Sequence, residues 1–384
     1  MFAAIFLLLF VTSASAWFET CDRQIILAPQ TTTTISSSGY YAAGSSCRYA
    51  IEAPQGFTIN ADCDIQIYRE SNGNCNNELF YVMKDGSKEL LGSEYLCGSG
   101  KVSRTSKFNR LTLAYTSGTR NVGQFTCRIS LNCDCGWSVN SKIVGGRVAG
   151  VNEYISMVGL IDLAGSSVFC GGSIISPFYI LTAAHCFTGS LLTVGNVGAL
   201  VGDHDYTIGT DTKYSSLYRI SQIIRHGLFN AKTHENDIAL VRTSTEIQFN
   251  SAVGPACLPF AFANSAFDAN VPLEVPGWGT TSFAGKVSSV LQTVQLVTVD
   301  LTTCKQRGMS SVNSGQLCTW ADRRDTCQYD SGGNLYYRYN KLYTIGIVSY
   351  GGTCASNVPA VNTKILAYLT WIRANAVGAN FCDA

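Results

Sequence analysis

A serine hydroxyl becomes a nucleophile at neutral pH only beside a base that takes its proton and a carboxylate that orients the base. The chain of 384 residues has four histidines, at 185, 204, 226 and 234. His185 closes an apolar run, Leu181-Thr182-Ala183-Ala184-His185-Cys186, with a cysteine beside it to pin the turn. The only Asp-Ser-Gly-Gly in the chain is Asp330-Ser331-Gly332-Gly333, a hydroxyl in a turn. Between them, Asn236-Asp237-Ile238-Ala239-Leu240 starts another apolar run with a carboxylate. Each segment alone is ordinary: a histidine at a strand end, an aspartate capping a turn, a serine among glycines. Their order, their flanks and an Ile143-Val144-Gly145-Gly146 stretch upstream are not a combination that chance supplies.

The elements that must position these residues are strands. Short runs rich in β-branched and aromatic residues, punctuated by Gly, Ser and Asn, predict an all-β chain. Such runs lie at 57–68, 78–84, 110–115 and 124–131 in the first part, and at 169–176, 179–183 and 342–349 in the second. The exception is the end of the chain. Ile365, Leu369 and Ile372 recur at helical spacing beside Trp371, which predicts a C-terminal helix packed on the body. The length suggests two domains, and the break falls in 133–142, where Cys133-Asp134-Cys135-Gly136 crowds cysteine and turn formers.

Apolar residues make up 46% of the chain and charged residues 14%, enough to build real cores. The formal net charge is +1; the part through Lys142 holds 12 basic and 11 acidic residues, and the rest 15 of each. Neither part has the cationic excess that holds nucleic acid or an anionic membrane, so neither partner is expected. Sixteen cysteines, without the Cys-x-x-Cys and His clusters of zinc modules, point to an oxidising compartment and up to eight disulfides. No metal or cofactor is expected. Residues 2–11 form an apolar run too short to span a bilayer, followed by Ala14-Ser15-Ala16, which reads as a signal peptide over residues 1–16 and so as secretion; an uncleaved buried strand is the alternative. No Asn-x-Ser/Thr sequon occurs.

From Ile143 to the C-terminus these motifs closely resemble the trypsin-like serine protease family. The resemblance implies two packed Greek-key β-barrels with a site between them, over residues 143–384. It assigns His185 as general base and then acid, Asp237 as its orienter, and Ser331 as nucleophile of an acyl-enzyme. The Tyr329 and Ser331 N–H groups would be the oxyanion donors. Ser349, in Val348-Ser349-Tyr350-Gly351, matches the segment that pairs with substrate backbone. Gly351 and Ala360 fall on the walls of the primary pocket. Asp325, six residues before Ser331, falls at its base, where a buried carboxylate selects Arg or Lys before the scissile bond. Activation would follow cleavage between Lys142 and Ile143 by a trypsin-like protease, the new Ile143 ammonium pairing with Asp330 as a two-state switch. The implied bridges are Cys170–Cys186, Cys304–Cys318 and Cys327–Cys354, with Cys257 tied to Cys133 or Cys135.

Three positions depart from the family. Tyr329 stands where Gly is usual; a positive φ there would strain a tyrosine by about 1–3 kcal/mol, and loss of one oxyanion donor would cost about 10²–10³ in rate. Ala360 replaces a Gly and narrows the slot. Asn334 replaces a common Pro, with an effect expected on the loop alone.

Residues 17–132 resemble a CUB domain, a β-sandwich with a protein or glycan ligand. No calcium ligands can be placed in it. The order of domains, the Cys-x-Cys-Gly-Trp linker and Tyr329 are similar to those of arthropod CUB-bearing serine proteases of haemolymph, saliva, venom or gut. The expected pairing there is Cys21–Cys47, Cys63–Cys75 and Cys97–Cys127, leaving Cys133 and Cys382 for each other. The rival reading is a weakly active or inactive homologue that binds rather than cuts, or a chain whose main task is adhesion through its N-terminal domain.

Overall fold

The stretch Phe57, Ile59, Ala61, Cys63, Ile65, Ile67 alternates with polar residues, and every one of those six side chains is buried on a single strand. That period of two builds most of the molecule. A computed structural model of the chain describes residues 21–29, 31–37, 43–118, 123–138, 147–208, 211–279, 288–320, 331–351 and 358–381. Contacts divide the chain into two units, through Asn132 and from Cys133.

The first unit carries β1 (Asp22–Ile26), β2 (Thr33–Ser36), β3 (Ser46–Glu52), β4 (Phe57–Ile67), β5 (Glu78–Met83), β6 (Glu94–Leu96), β7 (Gly98–Thr105), β8 (Arg110–Ser117) and β9 (Gln124–Cys133). Two sheets form, in the orders β1-β3-β8-β5-β6 and β2-β9-β4-β7. Phe125 of β9 projects from the second sheet onto Tyr49, Phe80 and Tyr115 of the first, with ring centroids 5.0–6.0 Å apart. This is the β-sandwich expected, and its aromatic centre joins the two sheets.

The expected disulfide pairing needs one correction. Cys21–Cys47 is present, but the other bridges are Cys63–Cys127 and Cys75–Cys97, not Cys63–Cys75 and Cys97–Cys127. The reason is strand adjacency. Cys63 and Cys127 lie buried on β4 and β9, neighbours in one sheet, whereas Cys75 and Cys97 both lie in connections outside the strands.

In the second unit, β11 (Met157–Asp162), β12 (Ser167–Ser176), β13 (Tyr179–Thr182), β14 (Val197–Val201), β15 (Ser216–Arg225) and β16 (Ala239–Thr243) close into a barrel in the order β11-β12-β13-β16-β15-β14. A short β10 (Arg147–Val148) precedes it and pairs with β18 (Gln292–Val299). The second barrel runs β18, β17 (Pro272–Gly277), β20 (Asn334–Arg338), β21 (Leu342–Tyr350), β22 (Ala360–Lys364) and β19 (Gln316–Trp320), closed by pairing of β19 with β18. The helix α1 (Leu301–Gln306) is capped by Asp300, whose carboxylate accepts the Thr303 N–H at 2.8 Å, and is tied to β19 by Cys304–Cys318. The C-terminal helix is present as one 3₁₀ turn, Ile365–Tyr368, running into α2 (Leu369–Asn375), with Ile365 and Ile372 fully buried.

The linker is fastened to the second unit by Cys135, not Cys133: Cys135–Cys257 is the bridge. Gly136 follows with φ of 65°, and a Cβ there would lie 2.5 Å from the Leu342 carbonyl oxygen, so only glycine fits. The expected bridges Cys327–Cys354 and Cys133–Cys382 involve cysteines outside the described residues, as do the signal peptide, Lys142 and Ile143.

Candidate active site

Pairing in the first barrel brings the histidine and the aspartate together. Strands β13 and β16 are antiparallel, with Thr182 opposite Ala239. The chain leaves β13 into a 3₁₀ turn, Ala184–Cys186, that carries His185 and is pinned to β12 by Cys170–Cys186. Asp237 enters β16 from the facing end, so two residues 52 apart in sequence end up side by side.

Asp237 is fully buried, and its partners account for its charge. One oxygen, Oδ1, accepts the backbone N–H of His185 at 2.9 Å; the other, Oδ2, lies 2.7 Å from His185 Nδ1 and accepts the Ser349 hydroxyl at 2.5 Å. Its backbone carbonyl accepts the Thr363 hydroxyl at 2.7 Å. Burial by itself would raise the carboxyl. The hydrogen bond from His185, the His234 ring nearby, the positive charge His185 can carry and the Ser349 hydroxyl outweigh it and hold the carboxyl well below the ordinary carboxylate range. A permanent carboxylate there fixes the His185 proton on Nδ1, which leaves Nε2 to accept a proton from a hydroxyl.

Ser331 arrives from the second barrel, in the turn that enters β20. Its carbonyl accepts the Gly171 N–H of β12 at 2.8 Å, and Gly332 N–H donates to Val348 at 3.0 Å. Gly332 has φ of 73°, and a Cβ there would meet Thr182 Oγ1 at 2.4 Å, Cys186 Sγ at 2.8 Å and the Gly171 oxygen at 2.8 Å. Conformation and space both demand glycine after the serine. His185 Nε2 lies 4.0 Å from the same Cys186 sulfur, so the serine turn and the imidazole abut one disulfide. Among the described residues no hydrogen bond joins the Ser331 hydroxyl to His185. Catalytic hydrogen bonds of unliganded sites are commonly long and tighten on substrate binding.

Gly351 and Ala360 also come together: a Cβ on Gly351 would lie 3.3 Å from both Cα and Cβ of Ala360. Asp325, Tyr329 and Asp330 lie outside the described residues. Asn334 corrects its expectation. It is not a loop residue but a fully buried start of β20, donating to Thr344 Oγ1 at 2.6 Å.

Two contributions were not read from the sequence. Ser349 was expected on the substrate side through its backbone, yet its side chain holds Asp237, 112 residues away. The other is His234, whose ring stacks on Tyr350 at 4.9 Å, meets His185 edge-on at 5.8 Å and brings Nδ1 to 3.6 Å from Asp237 Oδ2, just beyond hydrogen-bond range. Its one sequence signal was its place three residues before the aspartate.

Comparison with known proteins agrees with this architecture. The trypsin family model matches residues 143–372. Venom serine protease 34 of Apis mellifera is 35% identical over 356 residues, covering 88% of this chain and 83% of that protein. That match is longer than the stretch from Ile143 to Ala384, so it extends into the first unit. A venom serine protease of Polistes dominula is 35% identical over 258 residues, 66% of this chain and 92% of its own length. Alkaline trypsin A of Manduca sexta is 33% identical over 249 residues, 61% of this chain and 91% of its own. A closed pair of six-stranded barrels, a buried aspartate on a histidine at their junction and these matches place the chain in one group: it belongs to the trypsin family and is a trypsin-like serine endopeptidase.

Proposed function

We propose that the chain is a secreted zymogen, cut after Lys142, whose active form hydrolyses protein substrates after Arg or Lys through an acyl-enzyme on Ser331. The observation that carries this reading is the Asp237–His185 pair: a sealed carboxylate, held by the Ser349 hydroxyl and the His185 backbone, with one imidazole nitrogen free for proton transfer.

In this mechanism the Ser331 hydroxyl attacks the scissile carbonyl carbon and passes its proton to His185 Nε2. Asp237 stabilises the imidazolium that results, without itself taking a proton. The oxyanion forms against the N–H groups of Tyr329 and Ser331. Collapse breaks the peptide bond, and His185 returns its proton to the leaving amine. Water, deprotonated by the same Nε2, then releases the acyl group. Asp325 supplies the charge that a basic side chain meets in the pocket, beside the wall formed by Gly351 and Ala360. Before cleavage there is no Ile143 ammonium for Asp330, and the pocket and oxyanion donors lack the charge pair that would hold them. The linker stays attached through Cys135–Cys257 after the cut.

Secretion is supported by the apolar start of the chain, by the disulfides and by relatives whose names place them in venom. Among the described residues no helix is long and apolar enough to cross a membrane. The first unit we read as a CUB-like domain that binds a protein or glycan. Digestion of a peptide library by Lys142-cleaved protein tests the specificity: cuts after Arg and Lys are expected, and cuts after apolar residues would overturn it.

A further inference from the structure

His234 is built into the site at a cost that the proposed chemistry does not explain. Its φ is 53°, a conformation that strains a side-chain-bearing residue. The turn that enforces it is well constructed: His234 N–H donates to the Asn230 carbonyl at 2.8 Å, Asn230 Oδ1 accepts the Lys232 N–H at 2.9 Å, and Asn313 Nδ2 donates to Glu235 at 2.9 Å. The ring is stacked on Tyr350, so it is held in place. Its Nδ1 is buried and faces Asp237 Oδ2 from 3.6 Å, just beyond hydrogen-bond range. An imidazole nitrogen aimed at a buried carboxylate is part of a donor set that a cation can join. His185, His234 and Asp237 each offer one donor atom, and the three atoms lie within 4.8 Å of one another.

We propose that these three residues form a site for a zinc-like divalent cation, and that the ion inhibits the enzyme by capturing His185. This rests on the reading of His185 as the proton carrier. Two imidazoles and one carboxylate suit zinc or copper and disfavour calcium and magnesium, which prefer oxygen alone. Donors about 2.0–2.1 Å from a tetrahedral ion stand about 3.4 Å apart. His234 and Asp237, at 3.6 Å, already have that spacing. The His185–Asp237 pair, at 2.7 Å, has to open by less than about 1 Å, and the two imidazole donors start within 4.8 Å of each other. Asp237 is sealed, but the His185 and His234 side chains are 21% and 29% exposed, so an ion enters between the rings and keeps water as its fourth ligand.

The consequence for catalysis is tautomeric. In the free site the His185 proton sits on Nδ1 and is donated to Asp237. An ion on Asp237 Oδ2 and His234 Nδ1 takes the lone pair of His185 Nδ1, and the displaced proton passes through solvent to Nε2. Nε2 then becomes a donor and cannot accept the Ser331 proton.

The test uses zinc chloride on two proteins. In the cleaved enzyme, zinc should inhibit hydrolysis of a small Arg substrate, and EDTA should restore it. His234→Asn keeps a residue tolerant of φ > 0. Relative to its own zinc-free rate, it should need more than about 10-fold higher zinc for half-inhibition, the least effect expected when a zinc site is disturbed. His226→Gln should leave the zinc sensitivity as it was. Calorimetry on the full-length Ser331→Ala chain should show one zinc bound per chain, lost when His234→Asn is added. This second arm needs no turnover, so it decides the site even if the protease reading fails. Equal zinc sensitivity in the parent and His234→Asn enzymes, or equal binding with and without His234, would overturn the proposal.

Discussion

Removing one hydroxyl, by Ser349→Ala, tests how the buried carboxylate is kept charged. The Ser349 hydroxyl donates to Asp237 Oδ2 at 2.5 Å, with Ser349 7% exposed and Asp237 not at all, so water cannot take its place. A hydrogen bond to a charged group of this kind contributes about 1.5–3 kcal/mol. Since one pKa unit is about 1.36 kcal/mol, the carboxyl of the folded variant should rise by about one to two units. The sign follows from linkage. Asp237 is held below its unfolded value, so the stability it supplies is whole above the unfolded pKa and drains away as pH falls through the folded one. The deficit of the variant should therefore be full, about 1.5–3 kcal/mol, from pH 7 down through the unfolded carboxylate range near 4, and shrink only in stronger acid, as pH falls through the folded pKa of the variant, which protonates before the parent. Urea unfolding of the uncut parent and variant at pH 7 and near pH 2 measures it. A deficit under about 0.5 kcal/mol at pH 7, or one unchanged by acid, would refute the account of how Asp237 stays ionised.

Other perturbations bear on the rest of the site. Gly332→Ala puts a methyl within 2.4–2.8 Å of Thr182, Cys186 and the Gly171 backbone at φ 73°, and should cost activity and more than about 3 kcal/mol in stability; a normal melting temperature would count against the packing described. Lys142→Gln, left uncut, should have almost no activity toward an Arg ester, and full activity would remove the zymogen reading. Asp325→Ser should abolish cleavage after Arg, read as kcat/KM on paired Arg and apolar substrates. Tyr329→Gly should raise turnover, by up to about 10²–10³ where an oxyanion donor is regained, and no change would show that the tyrosine already holds that pose.

What was legible in the sequence followed from short-range pattern. The alternation in Phe57–Ile67 and the apolar run before His185 were readable because each strand buries one face or both. Ile365 and Ile372 were readable for the same reason at helical period. What was missed depends on which strands become neighbours. Cys63 and Cys127, 64 residues apart, join because β4 lies against β9, and no local spacing says so. The Ser349–Asp237 bond spans the two barrels. Asn334 followed a Ser-Gly-Gly turn and so read as loop, whereas its backbone already belongs to β20. His234 needed both a left-handed turn and the Tyr350 ring before it pointed anywhere.

A tagged aryl phosphonate carrying an Arg side chain, reacted with Lys142-cleaved protein and located by peptide mass, shows whether Ser331 is the nucleophile that His185 activates. One adduct is expected, on Ser331, formed rapidly in the cleaved protein and barely at all in the uncut chain or in His185→Ala. An adduct elsewhere, or labelling of Ser331 at the same rate without His185, would contradict it.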